Sequence, residues 1–163
     1  METLKKIDAA LEKVQVYSCM VLFAAMIILG TIQIGGRFIF NYSTTWTEEL
    51  IRFICIWMVF IGSALTVRKD GHVSIDLLIS SIHDNRKKAI LFVLSRLVCV
   101  VFLLLIIPSS IELIAKAKNS RAASMNLSFS WVYLSIPVGI VNMLLAYANA
   151  IPRLAKKYRK GEL

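Results

Sequence analysis

Four long apolar runs set the terms on which this chain can fold. Val14–Gly36 holds 23 residues without a charged side chain. At about 1.5 Å per residue, a helix of that length crosses the roughly 30 Å hydrocarbon core of a bilayer. Trp46–Val67 is the second run, with Glu48, Glu49 and Arg52 crowded into its first two turns and an uncharged stretch from Phe53 onward. Ala89–Ile111 is the third, interrupted by Arg96 and carrying Pro108 near its end, and Leu127–Ile151 is a fourth with no charge. Of the tails and loops between them, the longest is 68–88, so no separate soluble domain fits. The expected fold is one all-α integral membrane domain with four transmembrane helices at about 14–36, 46–67, 89–111 and 127–151. Composition agrees, because 58% of residues are hydrophobic and 18% charged, against about a quarter charged in a soluble domain.

Two segments outside the spans carry helical patterns. Leu4, Ile7, Leu11 and Val14 recur at helical spacing with Lys5, Lys6 and Lys13 elsewhere. That is either a short helix lying in the headgroup region or the first turns of a tilted first span. A cleaved signal peptide fits worse: the apolar run exceeds the usual 7–15 residues, and Asp8 and Glu12 interrupt the basic flank. After the second span, Asp70-Gly71 signals a turn, and Val73, Leu77, Leu78 and Ile82 form an apolar stripe opposite Ser74 and Ser81. A short interfacial helix fits there, on which His72 and Asp76, four residues apart, cap or pair; with Arg68 they are assigned to the structure of this loop.

The net charge of +9 comes from 19 basic and 10 acidic residues. Spread as one stripe beside aromatics it would suggest nucleic acid. Instead, thirteen of the 19 fall on the side that holds both termini and the 68–88 loop, while Arg37, Lys116, Lys118 and Arg121 fall on the other. By the positive-inside rule this places both termini in the cytoplasm. The charge is a topology signal, with membrane lipids and not nucleic acid as its partner.

Little here can carry chemistry. Cys19, Cys55 and Cys99 lie in three different spans with no C-x-x-C pair, as small packing residues do. His72 and His83 sit in the loop, which removes a bis-histidine membrane haem. No catalytic triad order, phosphate loop or metal-ligand spacing appears, so the chain reads as neither an enzyme nor a cofactor binder. A proton-coupled transporter needs an ionisable group deep among its helices, and none is found; nor are there paired broken helices of an inverted repeat. What remains is polar residues at helix ends. Thr45-Trp46-Thr47-Glu48 reads as a capping box, and Glu48, Glu49 and Arg52 can meet on one helical face. Arg96, seven residues into its span and so roughly 10 Å deep, either snorkels to the headgroups or pairs with a neighbouring subunit. Gly62-Ser63-Ala64, Gly139 and the Ala146/Ala150 pair offer close-approach surfaces.

The string Trp46-Thr47-Glu48-Glu49-Leu50-Ile51-Arg52-Phe53, then Trp57, Gly62-Ser63-Ala64, Arg68 and Gly71-His72-Val73-Ser74-Ile75-Asp76, resembles the DctQ-type small membrane subunit of tripartite ATP-independent periplasmic (TRAP) transporters. Trp131-Val132-Tyr133-Leu134-Ser135-Ile136-Pro137-Val138-Gly139 is similar to the same family at the start of the last span, whereas Lys116–Asn126 matches no pattern. The resemblance implies an importer of organic anions, of the C4-dicarboxylate or sialic acid class, in the bacterial inner membrane. A periplasmic solute-binding protein delivers the solute to this subunit and a much larger membrane subunit. It also implies that substrate and sodium sites belong to the large subunit, and that the small one is a scaffold, enlarging the frame against which a transport domain moves in an elevator-like way. On that basis Trp46, Glu48, Glu49, Arg52 and Gly62 are candidate contacts to the large subunit. Arg37 is a candidate contact for an acidic patch on the binding protein, unless it snorkels or pairs with Glu48 or Glu49. The alternative is an independent four-helix membrane protein, such as a homo-oligomeric small exporter.

Overall fold

The computed structural model describes residues 2–39, 45–68 and 85–160. The structure is helical: α1 (Glu2–Ile39), α2 (Thr45–Arg68), α3 (Asn85–Lys116), a 3₁₀ turn (Ala117–Asn119), a one-turn α4 (Phe129–Tyr133) and α5 (Ser135–Lys160). Four segments are long and apolar enough to cross a membrane: Asp8–Ile39, Thr45–Arg68, Ile90–Asn119 and Phe129–Ile151. The chain is a multi-pass membrane protein. His72, Asp76 and the interfacial helix expected over Val73–Ile82 lie outside the described residues.

Three helix boundaries differ from the expected spans, each for a physical reason. The apolar pattern ahead of Val14 is the beginning of α1 itself, because Glu2–Ile39 is one unbroken helix and not a headgroup helix followed by a span. Second, α3 continues through Pro108 to Lys116. A proline deletes one backbone donor, but ending a helix in lipid would strand several polar groups, so continuation is the cheaper course. Just beyond it the Ser110 hydroxyl donates to the Ile107 carbonyl at 2.7 Å. Third, the last span has an irregular turn at Leu134, where Pro137 has no amide to donate to the Tyr133 carbonyl, yet the backbone stays helical: Leu134 donates to the Ser130 carbonyl at 3.0 Å and Val138 to the Leu134 carbonyl at 3.3 Å. Ser128 caps α4 by accepting from the Ser130 amide, and the buried Ser135 hydroxyl donates to the Val132 carbonyl at 2.7 Å.

The helices form an open row. Among the described residues α1 packs on α2, α2 on α5, and α5 on α3; α1 reaches α5 only lightly, and the backbone of α3 comes close to neither α1 nor α2. No closed bundle results, and the order in space, α1–α2–α5–α3, differs from the order in sequence. Small residues make the central contacts possible, as expected where lipid removes the hydrophobic drive between helices. Ala64 and Val67 of α2 meet Ala146 and Tyr147 of α5, with Cys99, Val100 and Leu103 of α3 packed against the same cluster. Gly139 marks the tightest point: a Cβ there would lie 2.7 Å from Phe60 Cβ and 3.0 Å from the Phe60 carbonyl oxygen. The outer helix α1 is the opposite case, with none of its most apolar stretch buried inside the molecule and Tyr17, Val21, Phe23, Ile28 and Phe38 exposed. A groove of about 530 Å³ runs along its seam with α2, lined by Val14, Tyr17, Ser18, Val21, Leu22, Trp57 and Ile61.

Candidate interaction sites at the two ends of the row

At the end of the row where α2 begins, the polar cluster expected from the sequence divides. Thr45 is the first described residue of α2. Glu48 pairs with Arg52 at 3.9 Å, one turn apart, with 62% and 67% of the two side chains exposed. Exposed helical pairs of this kind contribute about 0.3–0.5 kcal/mol, too little to explain two charges by stability alone. Glu49 turns elsewhere. Its carboxylate accepts the Ala123 amide at 3.1 Å, the Ser124 amide at 3.0 Å and the Ser124 hydroxyl. One side chain of α2 thereby holds the connection between α3 and α4.

That connection, whose Lys116–Asn126 part has no recognisable pattern, is an ordered turn. Arg121 and Ser128 form an isolated antiparallel bridge, Ala122 donates to the Leu127 carbonyl at 2.9 Å and Phe129 to the Ser120 carbonyl at 3.0 Å. Ser130 ties it to α3 through the Ile114 carbonyl at 2.9 Å. Beneath it Phe53, Ala122 and Val132 are buried together, and the rings of Phe53 and Phe129 meet edge to face at 5.7 Å. Lys118 and Arg121 stay exposed on its surface, Arg121 donating to Asn126.

The other candidates fall in separate places. Trp46 is 41% exposed, but two residues from Glu48 is about 200° around a helix, so they occupy opposite sides of α2. Gly62 faces inward to α1, 3.7 Å from Cys19 Sγ when given a Cβ. Only Glu48 and Arg52 share an outward face. Arg37 stands exposed in the last turn of α1, in no ion pair with Glu48 or Glu49.

At the opposite end, Arg68 is the last residue of α2 and its side chain is only 4% exposed. Its Nε donates to Asp8 Oδ1 at 2.9 Å, and its Nη1 donates to Gln15 Oε1. Gln15 in turn donates to Asn142 Oδ1 at 2.9 Å, so the network joins α1, α2 and α5. Arg68, expected to support the loop that follows, is a buried strut between helices; the loop itself lies outside the described residues. Arg96 is buried too, 2% exposed, with its guanidinium 4.9 Å from the Phe92 ring centre and the Tyr147 hydroxyl beside it. It therefore neither snorkels nor reaches a neighbouring subunit, because the seam between α3 and α5 encloses it. Asp8 and Gln15, seven apart, share one face of α1, but nothing in the sequence ties them to Arg68 or Asn142, 53 residues or more away.

The comparisons with known proteins bear on what such a row is for. Residues 26–157 match the family described as tripartite ATP-independent periplasmic transporters, DctQ component. The chain belongs to the DctQ family. It is 27% identical over 135 residues to the sialic acid TRAP transporter small permease protein of Vibrio cholerae, covering 83% of this chain and 78% of that one. To the C4-dicarboxylate TRAP transporter small permease protein of Pseudomonas aeruginosa it is 23% identical, over 72% of this chain and 58% of that protein. A third relative differs in form: the sialic acid TRAP transporter permease protein of Haemophilus influenzae is 28% identical over 79% of this chain but only 21% of its own length. DctQ proteins are membrane subunits of transporters and not enzymes.

Proposed function

We propose that this DctQ subunit is the scaffold of a sodium-driven TRAP importer of organic anions, supporting a large permease subunit and helping to dock a periplasmic solute-binding protein. The observation that carries the reading is the open row. A transport pathway needs a space enclosed by helices, and a single row of four helices has two outer faces in place of an interior. It is built to extend another membrane protein. The Haemophilus relative supports this, because there a segment like this chain is part of a much longer permease.

In the proposed orientation both termini face the cytoplasm and the 117–128 turn and Arg37 face the periplasm of a bacterial inner membrane, in line with the basic residues around the termini. The outward Glu48–Arg52 pair is the contact to the large subunit, and Arg37 the contact to an acidic patch on the binding protein. Sodium and solute sites lie in the large subunit. The names of the relatives favour a sialic acid or a C4-dicarboxylate as solute.

Purification from membranes under mild detergent tests the reading. Co-elution with a large multi-span permease is expected, weakened when Glu48 and Arg52 are both replaced by alanine. A stable, transport-competent oligomer of this chain alone would instead make it an independent exporter. Reversal of Arg37 to Glu is expected to slow uptake when the binding protein is limiting; unchanged uptake there removes Arg37 from docking.

A further inference from the structure

We propose that the Asp8–Arg68 ion pair, with Gln15 and Asn142, is the key that sets the lengthwise register of α1 on its neighbours. Elsewhere among the described residues, α1 meets α2 through apolar packing and one weak thiol contact, Cys19 Sγ to the Met58 carbonyl at 4.0 Å. The hydrophobic effect does not hold helices together in lipid, and the most apolar stretch of α1 is unburied within the molecule. At Gly62 the seam shows no tight interlock, since an added Cβ would lie 3.7 Å from Cys19 Sγ, an ordinary contact distance. At one end, by contrast, polar groups of three helices converge. Arg68 donates to Asp8 at 2.9 Å and to Gln15, and Gln15 donates to Asn142 at 2.9 Å.

These bonds hold in one register only. A slide of one turn, about 5.4 Å, would part the Arg68 guanidinium from Asp8 and Gln15 alike. Arg68 is buried, and breaking the ion pair and hydrogen bond that it makes to α1 at this depth opposes the slide where it begins. Because α1 is unbroken, what is fixed at Gln15 is fixed at Arg37, 22 residues or about 33 Å along the same helix. The pair at one membrane face thus sets the height of a charged residue at the other, whatever Arg37 contacts there.

Disulfide trapping in membranes of cells expressing the full chain tests this. Cys55 and Cys99 are replaced by alanine, and Cys19 is offered a partner by Gly62→Cys or, one turn further along α2, by Thr66→Cys. With Asp8 and Arg68 intact, crosslinking is expected with Gly62→Cys and not with Thr66→Cys. Asp8→Ala is expected to lower the first and spread crosslinking along α2, and exchange of the pair (Asp8→Arg with Arg68→Asp) to restore the original pattern. Asp8 is partly exposed, so its alanine variant tests the idea even where variants of Arg68 fail to insert. A pattern unchanged in Asp8→Ala overturns the proposal. So does an exchanged pair that crosslinks no better than Asp8→Ala.

Discussion

Gly139 is where the row can least tolerate an atom, since a Cβ there would fall 2.7 Å from Phe60 Cβ and 3.0 Å from a backbone oxygen that cannot move aside. Gly139→Ala should therefore force α2 and α5 apart, at a cost of about 1–3 kcal/mol. A lowered midpoint of thermal unfolding in detergent checks this; an unchanged midpoint means the two helices approach less closely. Glu49 acts over a longer distance in sequence, holding the amides of Ala123 and Ser124. In Glu49→Ala those two amides should exchange with solvent much faster, while amides in the middle of α2 keep their protection, as hydrogen exchange by mass spectrometry can read. Both residues stand in strings that resemble the family, so their positions were legible in sequence. Their reasons were not, because the partners lie 74 to 79 residues away and no local periodicity connects them. Arg96 shows the same limit. Depth in a span is readable from its position, but whether a cation snorkels or packs over Phe92 is decided by α5, which the sequence of α3 does not contain.

Among the elements, α5 is the one on which the others depend, for it alone contacts α1, α2, α3 and α4. Ala146 is fully buried where α2 and α3 both approach it. Ala146→Leu should overpack both seams at once, costing about 1–3 kcal/mol and lowering the yield of folded chain. Ala24→Leu on the exposed side of α1 should do neither, and comparing the two variants by size-exclusion profile and unfolding midpoint separates packing from mere added bulk. The four long helices were legible because lipid demands long charge-free runs. The irregular turn at Leu134 and the run through Pro108 were not, since both turn on how a helix accommodates a proline that cannot donate, Pro137 in the one case and Pro108 in the other. Nor could the spatial order α1–α2–α5–α3 be read from spacing; it follows from which faces carry Gly139, Ala64 and Ala146.

Among the described residues the long helices stand in a row, with buried polar struts at Arg68 and Arg96 and a pinned turn at one end. Membership of the DctQ family joins that shape to transport, and the two together make a frame for another subunit the natural use of it. Charge tells the same story at this scale. Most of the 19 basic residues mark one side of the membrane, and Arg68 and Arg96 are enclosed by neighbouring helices. Sodium-driven uptake into proteoliposomes tests the account most directly, with this chain reconstituted alone, and the large permease reconstituted with and without it in the presence of the binding protein. The account predicts no uptake by this chain alone and full uptake only when all three proteins are present. Uptake by this chain alone, or undiminished uptake by the large permease without it, would contradict the account.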